Sequence, residues 1–419
     1  MKKTSRQLSR RQFLAASAAS AVLPSLIPGS ALGFNGKLSP NNRLITVVVG
    51  YGNRGSEIIG DALGCADFQV IGVCDCYRAH AERGRDRING HYKKDDARIF
   101  GRYEEVLGSG EVDVIMNSTP DHWHTKITVE ACKAGKDIYC EKPLTLTPTE
   151  SRQIVQAARK YNRVVMGGSQ RVMEDYGYMA PVVASGALGE VKSAYASLGG
   201  PPRECYLPAQ DQPEGMDWDR WLGQAPWAPY NSERSSGSYG GGWRQFSEYG
   251  NGFLADWGAH KFGGILYCVG LDHEEPVAIL PPRSEGNETD GCCAVYKNGF
   301  KMYHGGGGDI RIVGTERTFN HGGDRDKIKP ICAVDIRRYK GATGRLIDDF
   351  AYSVKNRLRP FQDVQFAANT ATVCQLINIC YKVLRPLKWD TEKCQFIGDE
   401  QANRMVSRVQ RSPYQIVVD

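Results

Sequence analysis

The sequence predicts an α/β protein: a doubly wound parallel sheet, then a second α/β domain built on a mixed sheet with helices. Two observations carry this. From residue 44 to about 170, short apolar strand-like runs alternate with helical stretches, the rhythm of a parallel sheet covered by helices on both faces. Past 170 the rhythm changes, and strand-like runs cluster between long helices. A length of 419 residues fits two domains. The division expected is 1–33 as a leader, 34–170 as the first domain and 171–419 as the second.

The run Leu44-Ile45-Thr46-Val47-Val48-Val49 is almost wholly apolar, as a strand buried on both faces must be. A helical stretch at 56–63 and a second strand at 68–74 follow. Residues 112–116 form a further strand, and a helix lies around 126–134. A short strand at 137–140 precedes a helix at 148–161 with Thr147 as N-cap, and 164–166 is another strand. In the second domain 176–185 reads as helix and 191–198 alternates as a strand. Residues 199–252 are irregular and rich in Gly and Pro, yet Trp218, Trp221, Trp227 and Trp243 argue against disorder. A helix starts near Asp256, strands are expected at 292–296, 300–304 and 310–313, and helices at 345–357 and 364–384. The glycines at 305–308 read as a loop.

The first strand runs into Gly50-Tyr51-Gly52-Asn53-Arg54-Gly55 and then a helix. In that context the glycines permit a tight turn and close backbone approach to a pyrophosphate resting on the helix N-terminus. This is the dinucleotide-binding turn of a Rossmann domain, with Asn53 and Arg54 beside the phosphates. The second strand ends in Asp75, twenty residues past Gly55, where a carboxylate accepts from a ribose 2′-hydroxyl and repels a 2′-phosphate. Asp75 favours NAD; Arg54 and Arg78 leave NADP as the lesser alternative.

The N-terminus carries Ser9-Arg10-Arg11-Gln12-Phe13-Leu14, then an alanine-rich apolar stretch and a small-residue site at Ala31-Leu32-Gly33. This is a twin-arginine export pattern, which predicts engagement of that translocation machinery and a periplasmic or otherwise exported protein. An uncleaved anchor is the alternative. Five basic residues and no acid fall within 1–33, so the net charge of +6 drops to about +1 for the remainder, and charge gives no support for nucleic-acid binding. The thirteen cysteines include no Cys-x-x-Cys pair, so neither a zinc site nor a disulfide framework is expected.

Three further segments carry candidate chemistry. Ser118-Thr119-Pro120-Asp121-His122-Trp123-His124 follows a strand at the carboxyl end of the sheet, where ligands bind, so Thr119, Pro120 and His124 are cofactor candidates. Glu141-Lys142-Pro143 ends the next strand at the same edge, and a lysine there can stabilise a substrate alkoxide. Asp256 and His260 stand four apart, on one face of a helix, and histidine exchanges protons near neutral pH. Taken alone, that pair reads as a helix N-terminal acid and a satisfied, partly buried histidine.

Taken in order, Gly50-x-Gly52-x-x-Gly55, Thr119-Pro120 with His124, Glu141-Lys142-Pro143, Gln170-Arg171 and Asp256-x-Gly258-x-His260 resemble the glucose–fructose oxidoreductase/inositol dehydrogenase/MocA (Gfo/Idh/MocA) family. Trp221-Leu-Gly-x-Ala-Pro-Trp227 and the twin-arginine start are similar to its exported bacterial branch. The resemblance implies a large open sheet in the second domain, often used for homo-oligomers, and Lys142, Asp256 and His260 as the catalytic set. It also implies sugar, cyclitol or polyol substrates. Glu141 and Gln170 go with the cofactor; Arg171, Trp243, Arg244 and Tyr249 go with the substrate. Many members carry an aspartate three residues after the histidine, where this chain has Gly263. The family includes NAD-using glycosidases, which lack the Glu-Lys-Pro triplet kept here.

The function expected is an exported, NAD-dependent oxidoreductase acting on a sugar, glycoside or polyol hydroxyl, with tightly held cofactor. Free cofactor is scarce outside the cytoplasm, so the cofactor must be regenerated on site. A redox-neutral glycosidase or lyase working through a transient keto-sugar meets that need and is the alternative. A non-catalytic carbohydrate-binding protein retaining the cofactor is the reading from another class.

Overall fold

The computed structural model describes residues 42–306 and 308–418, and the architecture below lies within the compact unit Leu44–Asp419. The leader motif and its processing site therefore fall outside the described residues. Strands β1 (Leu44–Val49), β2 (Phe68–Cys74), β3 (Arg98–Phe100), β4 (Val114–Asn117), β5 (Asp137–Cys140) and β6 (Val165–Gly167) form one sheet in the order β3-β2-β1-β4-β5-β6. Every pairing is parallel. The order reverses between β1 and β4, and that switch point opens a crevice at the carboxyl ends of the strands. Val47 and Val48 are wholly buried, each worth roughly 1.5–3 kcal/mol of transfer free energy.

The crossovers are α1 (Asn53–Leu63), α2 (Arg78–Tyr92), α3 (Tyr103–Gly108), α4 (Asp121–Lys133) and α5 (Pro148–Lys160). Thr147 caps α5 by accepting from the Glu150 N–H at 3.2 Å, with Pro148 in the first turn, where its missing N–H costs nothing. Helix α4 begins at Asp121 rather than near 126, because Pro120 supplies its N-cap and the polar-aromatic stretch after it is already helical.

The second sheet has eight strands: β7 (Val191–Ala196), β8 (Ala278–Leu280), β9 (Cys293–Val295), β10 (Lys301–His304), β11 (Ile310–Gly314), β12 (Thr318–Asn320), β13 (Leu387–Asp390) and β14 (Gln395–Phe396). Their order is β12-β11-β7-β10-β9-β8-β13-β14, with β7 and β10 parallel and the other pairs antiparallel, a mixed sheet as the sequence predicts. The helix read at 176–185 is present but shorter, Met179–Ala184, and a separate one-turn helix precedes it at Arg171–Glu174.

Helices α6 (Gly252–Val269), α7 (Leu346–Asn356) and α8 (Val364–Val383) complete the fold. Helix α8 packs on both α5 and α6, and so ties the sheets together. Helix α6 is buried around most of its circumference, which its apolar second half requires. Residues 199–251 are ordered by their own aromatic core: Trp218, Trp221, Leu222, Trp243, Phe246 and Tyr249 pack together. No described helix is long and apolar enough to cross a membrane.

Candidate active site

A cavity of about 380 Å³ opens at the carboxyl edge of the first sheet. The glycine turn forms one end. Gly50 has φ +88°, and a Cβ there would lie 2.9 Å from the Ser118 carbonyl and Thr119 nitrogen. A Cβ on Gly55 would lie 2.0 Å from the Gly50 oxygen, so both glycines are needed for close packing of turn, helix and neighbouring loop. A Cβ on Gly52 would meet nothing within 4 Å, and Gly52 lines the cavity. No side chain caps the N-terminus of α1. Its outward N–H groups thus face space, as a phosphate requires.

Asp75 also lines the cavity. Its Oδ2 accepts from the Tyr51 N–H at 2.7 Å and its Oδ1 from the Tyr77 N–H at 2.8 Å. The carboxylate therefore ties the glycine turn to β2. An ionised carboxylate has about four acceptor positions, so lone pairs remain for ribose hydroxyls. Arg54 turns away from the phosphate end: its Nε meets Glu141 Oε1 at 2.9 Å and its NH1 meets Glu57 Oε2 at 2.7 Å. Burial works against the Arg54 charge, but Glu141 and Glu57 outweigh it and hold the guanidinium firmly protonated. Arg78 pairs with Glu82 at 2.7 Å.

Glu141 and Lys142 extend β5, and the Lys142–Pro143 peptide is cis. Adjacent residues on an extended chain point opposite ways. Glu141 reaches back to Arg54; Lys142 reaches to α6, where Nζ donates to Asp256 Oδ1 at 2.6 Å and to the Asp256 carbonyl at 3.2 Å. Arg244 Nε lies 3.6 Å from the same Oδ1. An ammonium has three N–H donors, so two go to Asp256 and one is left for a ligand in the cavity that Lys142 lines.

Gly252, at φ +72°, starts α6 where a Cβ would lie 2.5 Å from Pro202 N, and this sets the helix's entry angle. One turn beyond Asp256, His260 is 4 % exposed and does not line the main cavity. Its Nδ1 lies 2.6 Å from Ser169 Oγ, whose hydroxyl donates to the Ala259 carbonyl at 2.8 Å. Ser169 spends its only proton on that carbonyl, so Nδ1–H donates to Oγ and Nε2 keeps the lone pair. Burial first, then Lys142, Arg171 and Arg54, push the imidazole well below its ordinary value, so it is neutral at pH 7. A small cavity of about 20 Å³, room for one water, is lined by Lys142, Ser169 and Ala259. Gly263 packs closely: a Cβ there would lie 3.0 Å from Val172 Cγ2, so an aspartate at this position needs a different helix contact.

The remaining expected residues divide. Thr119, Pro120, Trp243 and Arg244 line the cavity, as do Asn53 and Glu141. His124 does not: its Nδ1 lies 2.8 Å from the Pro143 carbonyl and its Nε2 2.9 Å from the Thr119 carbonyl. It braces two loops of the crevice instead of facing a cofactor. Tyr249 is 1 % exposed and packs edge-on and tilted against Trp221 and His122, so its ring belongs to the aromatic core and not to a substrate surface. Gln170 and Arg171 are also off the cavity wall; Arg171 pairs with Asp175 at 2.6 Å and covers the Trp257 ring.

Three features were not singled out by the sequence: Ser169, the part played by Asp121, and the way residues 237–244 strap across α1. In the strap, Tyr239 donates to Glu57 Oε1 at 2.9 Å, Asn53 donates to the Gly237 carbonyl at 3.3 Å, and Arg244 donates to the Gly237 and Ser238 carbonyls. The Arg244 guanidinium sits 4.3 Å from the Trp243 ring centroid. Among the described residues, no group of three or more His, Cys, Asp or Glu side chains is placed to hold a metal ion.

Two family models match the chain. Residues 44–169 match the oxidoreductase-family NAD-binding Rossmann fold, and residues 203–416 match the oxidoreductase-family C-terminal alpha/beta domain. The chain belongs to the Gfo/Idh/MocA oxidoreductase family. It is 26% identical over 183 residues to an alpha-N-acetylgalactosaminidase of Shewanella oneidensis, a match covering 41% of this chain and 38% of that protein. It is 25% identical over 146 residues to an inositol 2-dehydrogenase of Salmonella paratyphi B, covering 34% of this chain and 42% of the relative. These matches span less than half of either relative. The aldose-aldose oxidoreductase of Caulobacter crescentus, solved with glycerol, superposes with a TM-score of 0.55 at 16% identity, covering 83% of this chain and 99% of that one, which shows a shared fold.

Proposed function

We propose that the protein is an NAD-dependent oxidoreductase that moves hydride between a tightly bound nicotinamide cofactor and a hydroxyl of a sugar, glycoside or polyol. One observation carries the reading. The Lys142 ammonium, clamped on Asp256 at 2.6 Å, keeps one donor for the cavity that also receives the glycine turn and Asp75. When bound, a nicotinamide supplies the hydride acceptor or donor. The chain's own residues manage charge and protons. Lys142 stabilises developing alkoxide on the substrate oxygen. Asp256 fixes the direction of that ammonium. His260, neutral and off the wall of the cavity, is the proposed acceptor of the hydroxyl proton, which reaches it through intervening water rather than by direct contact. Its lowered basicity keeps it in the acceptor form at neutral pH at the expense of driving force. Trp243 and Arg244 give a stacking face and a cation at the substrate end.

Asp75 at the end of β2 supports NAD, and the engagement of Arg54 and Arg78 with carboxylates removes two cations that a 2′-phosphate would use. Arg83, exposed on the same wall, is the residue that would serve NADP. The test is to denature the purified protein, identify the released nucleotide by mass spectrometry, and screen sugars, glycosides and polyols for cofactor reduction. Release of NADP alone, or no nucleotide, overturns the cofactor assignment.

The second reading is redox-neutral glycoside cleavage, and the relative named alpha-N-acetylgalactosaminidase favours it. Release of a sugar from a glycoside with no net change in the bound cofactor decides for this reading. Export belongs to the same proposal: an Arg10→Lys/Arg11→Lys variant is retained in the cytoplasm, and normal export of that variant refutes the route.

A further inference from the structure

Asp121 opens α4, lines the cavity beside Thr119, Pro120, Lys142 and Arg244, and is 3 % exposed. Its Oδ1 is buried with no hydrogen-bond partner among the described residues. Every other acid at this centre is engaged: Glu141 by Arg54, Asp256 by Lys142, and Asp75 by two backbone N–H groups. Orphaned buried carboxyls are rare, because the lost hydration is not replaced. One kept at the mouth of a ligand cavity is satisfied by the ligand.

We propose that Asp121 is a substrate-binding residue: its carboxyl, held with Oδ1 unpartnered beside the Lys142–Asp256 ion pair, hydrogen-bonds a hydroxyl of the sugar or polyol. This rests on the reading that the cavity takes such a substrate. The charged groups that act on Asp121 are Asp256 from α6, Arg244 from the strap, and Lys142 and Glu141 from the end of β5. Burial first, then Asp256, pushes the carboxyl well above the usual range against the pull of Arg244 and Lys142. The N-terminal end of α4 favours the ionised form too, but a helix terminus contributes less than full burial of an unpaired charge. Burial beside Asp256 thus favours the neutral, hydrogen-donating form of the Asp121 carboxyl. A neutral donor next to a lysine suits an uncharged polyhydroxylated ligand.

The experiment uses the full protein with its retained nucleotide. Substrate affinity, nucleotide retention and thermal melting are measured for the parent, Asp121→Asn and Asp121→Ala. The screen's best substrate should bind Asp121→Ala about ten- to a hundredfold more weakly, and Asp121→Asn, which keeps a donor, less than tenfold more weakly. Nucleotide content should not change. Without substrate both variants should melt at or above the parent's temperature, since they remove an unsatisfied buried acid. Equal substrate affinity in parent and Asp121→Ala, loss of nucleotide, or a lower melting temperature in both variants overturns the inference. If the parent binds no sugar, glycoside or polyol, the functional reading fails on its own. The melting comparison then still decides whether Asp121 is a ligand residue or a structural one.

Discussion

Lys142→Met removes the ammonium and keeps most of the stem volume, so it isolates the charge. Two consequences can be sized separately. The parent Nζ makes two contacts to Asp256, at 2.6 Å and 3.2 Å, and has one donor left. Losing a donor aimed at developing alkoxide costs about 10²–10³ in kcat. Breaking a fully buried pair by removing one partner costs about 3–5 kcal/mol. Here the side chains keep 18% and 12% of their exposure, and Arg244 Nε stays 3.6 Å from Asp256, so the destabilisation should fall to about 1–3 kcal/mol. The assay is kcat on the screened substrate, with urea denaturation and nucleotide content measured in parallel. Lys142→Arg should not rescue turnover, because a planar fork cannot reproduce a compact ammonium pinned on one carboxylate and its own carbonyl. Turnover of Lys142→Met within tenfold of the parent, with nucleotide retained, refutes the assignment of Lys142 to the alkoxide.

Asp75→Ala should release most of the co-purified nucleotide, because it loses the ribose acceptor and also frees the Tyr51 and Tyr77 N–H groups; unchanged nucleotide content argues against a ribose role. Ser169→Ala should lower kcat by about tenfold with little change in nucleotide content, since the His260 ring loses the acceptor that fixes its tautomer; an unchanged pH–rate profile would count against that orientation. His122 is buried, donates to the Trp221 carbonyl at 2.8 Å, and is pushed by burial down to about 3. Its folded value is below its unfolded value near 6.5, so its contribution is fully present above about 6.5 and is lost as pH falls towards 3. Between pH 7.5 and 5.0 that is on the order of 2 kcal/mol, which His122→Phe should remove from the pH dependence measured by urea unfolding; equal slopes in the two proteins would disprove it.

The glycine turn, Asp75 and the Glu-Lys-Pro triplet were legible because their chemistry is local: each follows a strand whose apolar run is unmistakable, and the strand's end locates the crevice. Asp121 was hidden by a misplaced helix start. A helix starting at 126 places Asp121 in a loop, whereas with Pro120 at the N-cap it sits in the first turn and lines the cavity. Tyr249 shows the opposite failure. A segment rich in Trp and Tyr looks the same whether its rings stack on a sugar or on each other, and only the packing shows that Tyr249 does the latter. His124 is turned from the cofactor because the Thr119 carbonyl, five residues back, and the Pro143 carbonyl, nineteen residues on, each lie against one of its ring nitrogens. Strands β8, β12, β13 and β14 are two to four residues long, too short for an alternation to register.

The triplet touches both halves of the site, and its geometry explains why a glutamate and a lysine stand side by side. Glu141 faces the glycine turn through Arg54; Lys142 faces α6 through Asp256. The ion pairs therefore run as a chain from the cofactor end, Glu57–Arg54–Glu141, across one peptide bond to the substrate end, Lys142–Asp256–Arg244. From Arg244 the strap returns to Glu57 through Tyr239, which closes the circuit over the cavity. Each link is only moderately strong by itself. In series they connect the glycine turn, the lysine and the strap around the cavity. That connection follows from alternation of two neighbouring side chains at the end of one strand, which is why the pair is adjacent in sequence.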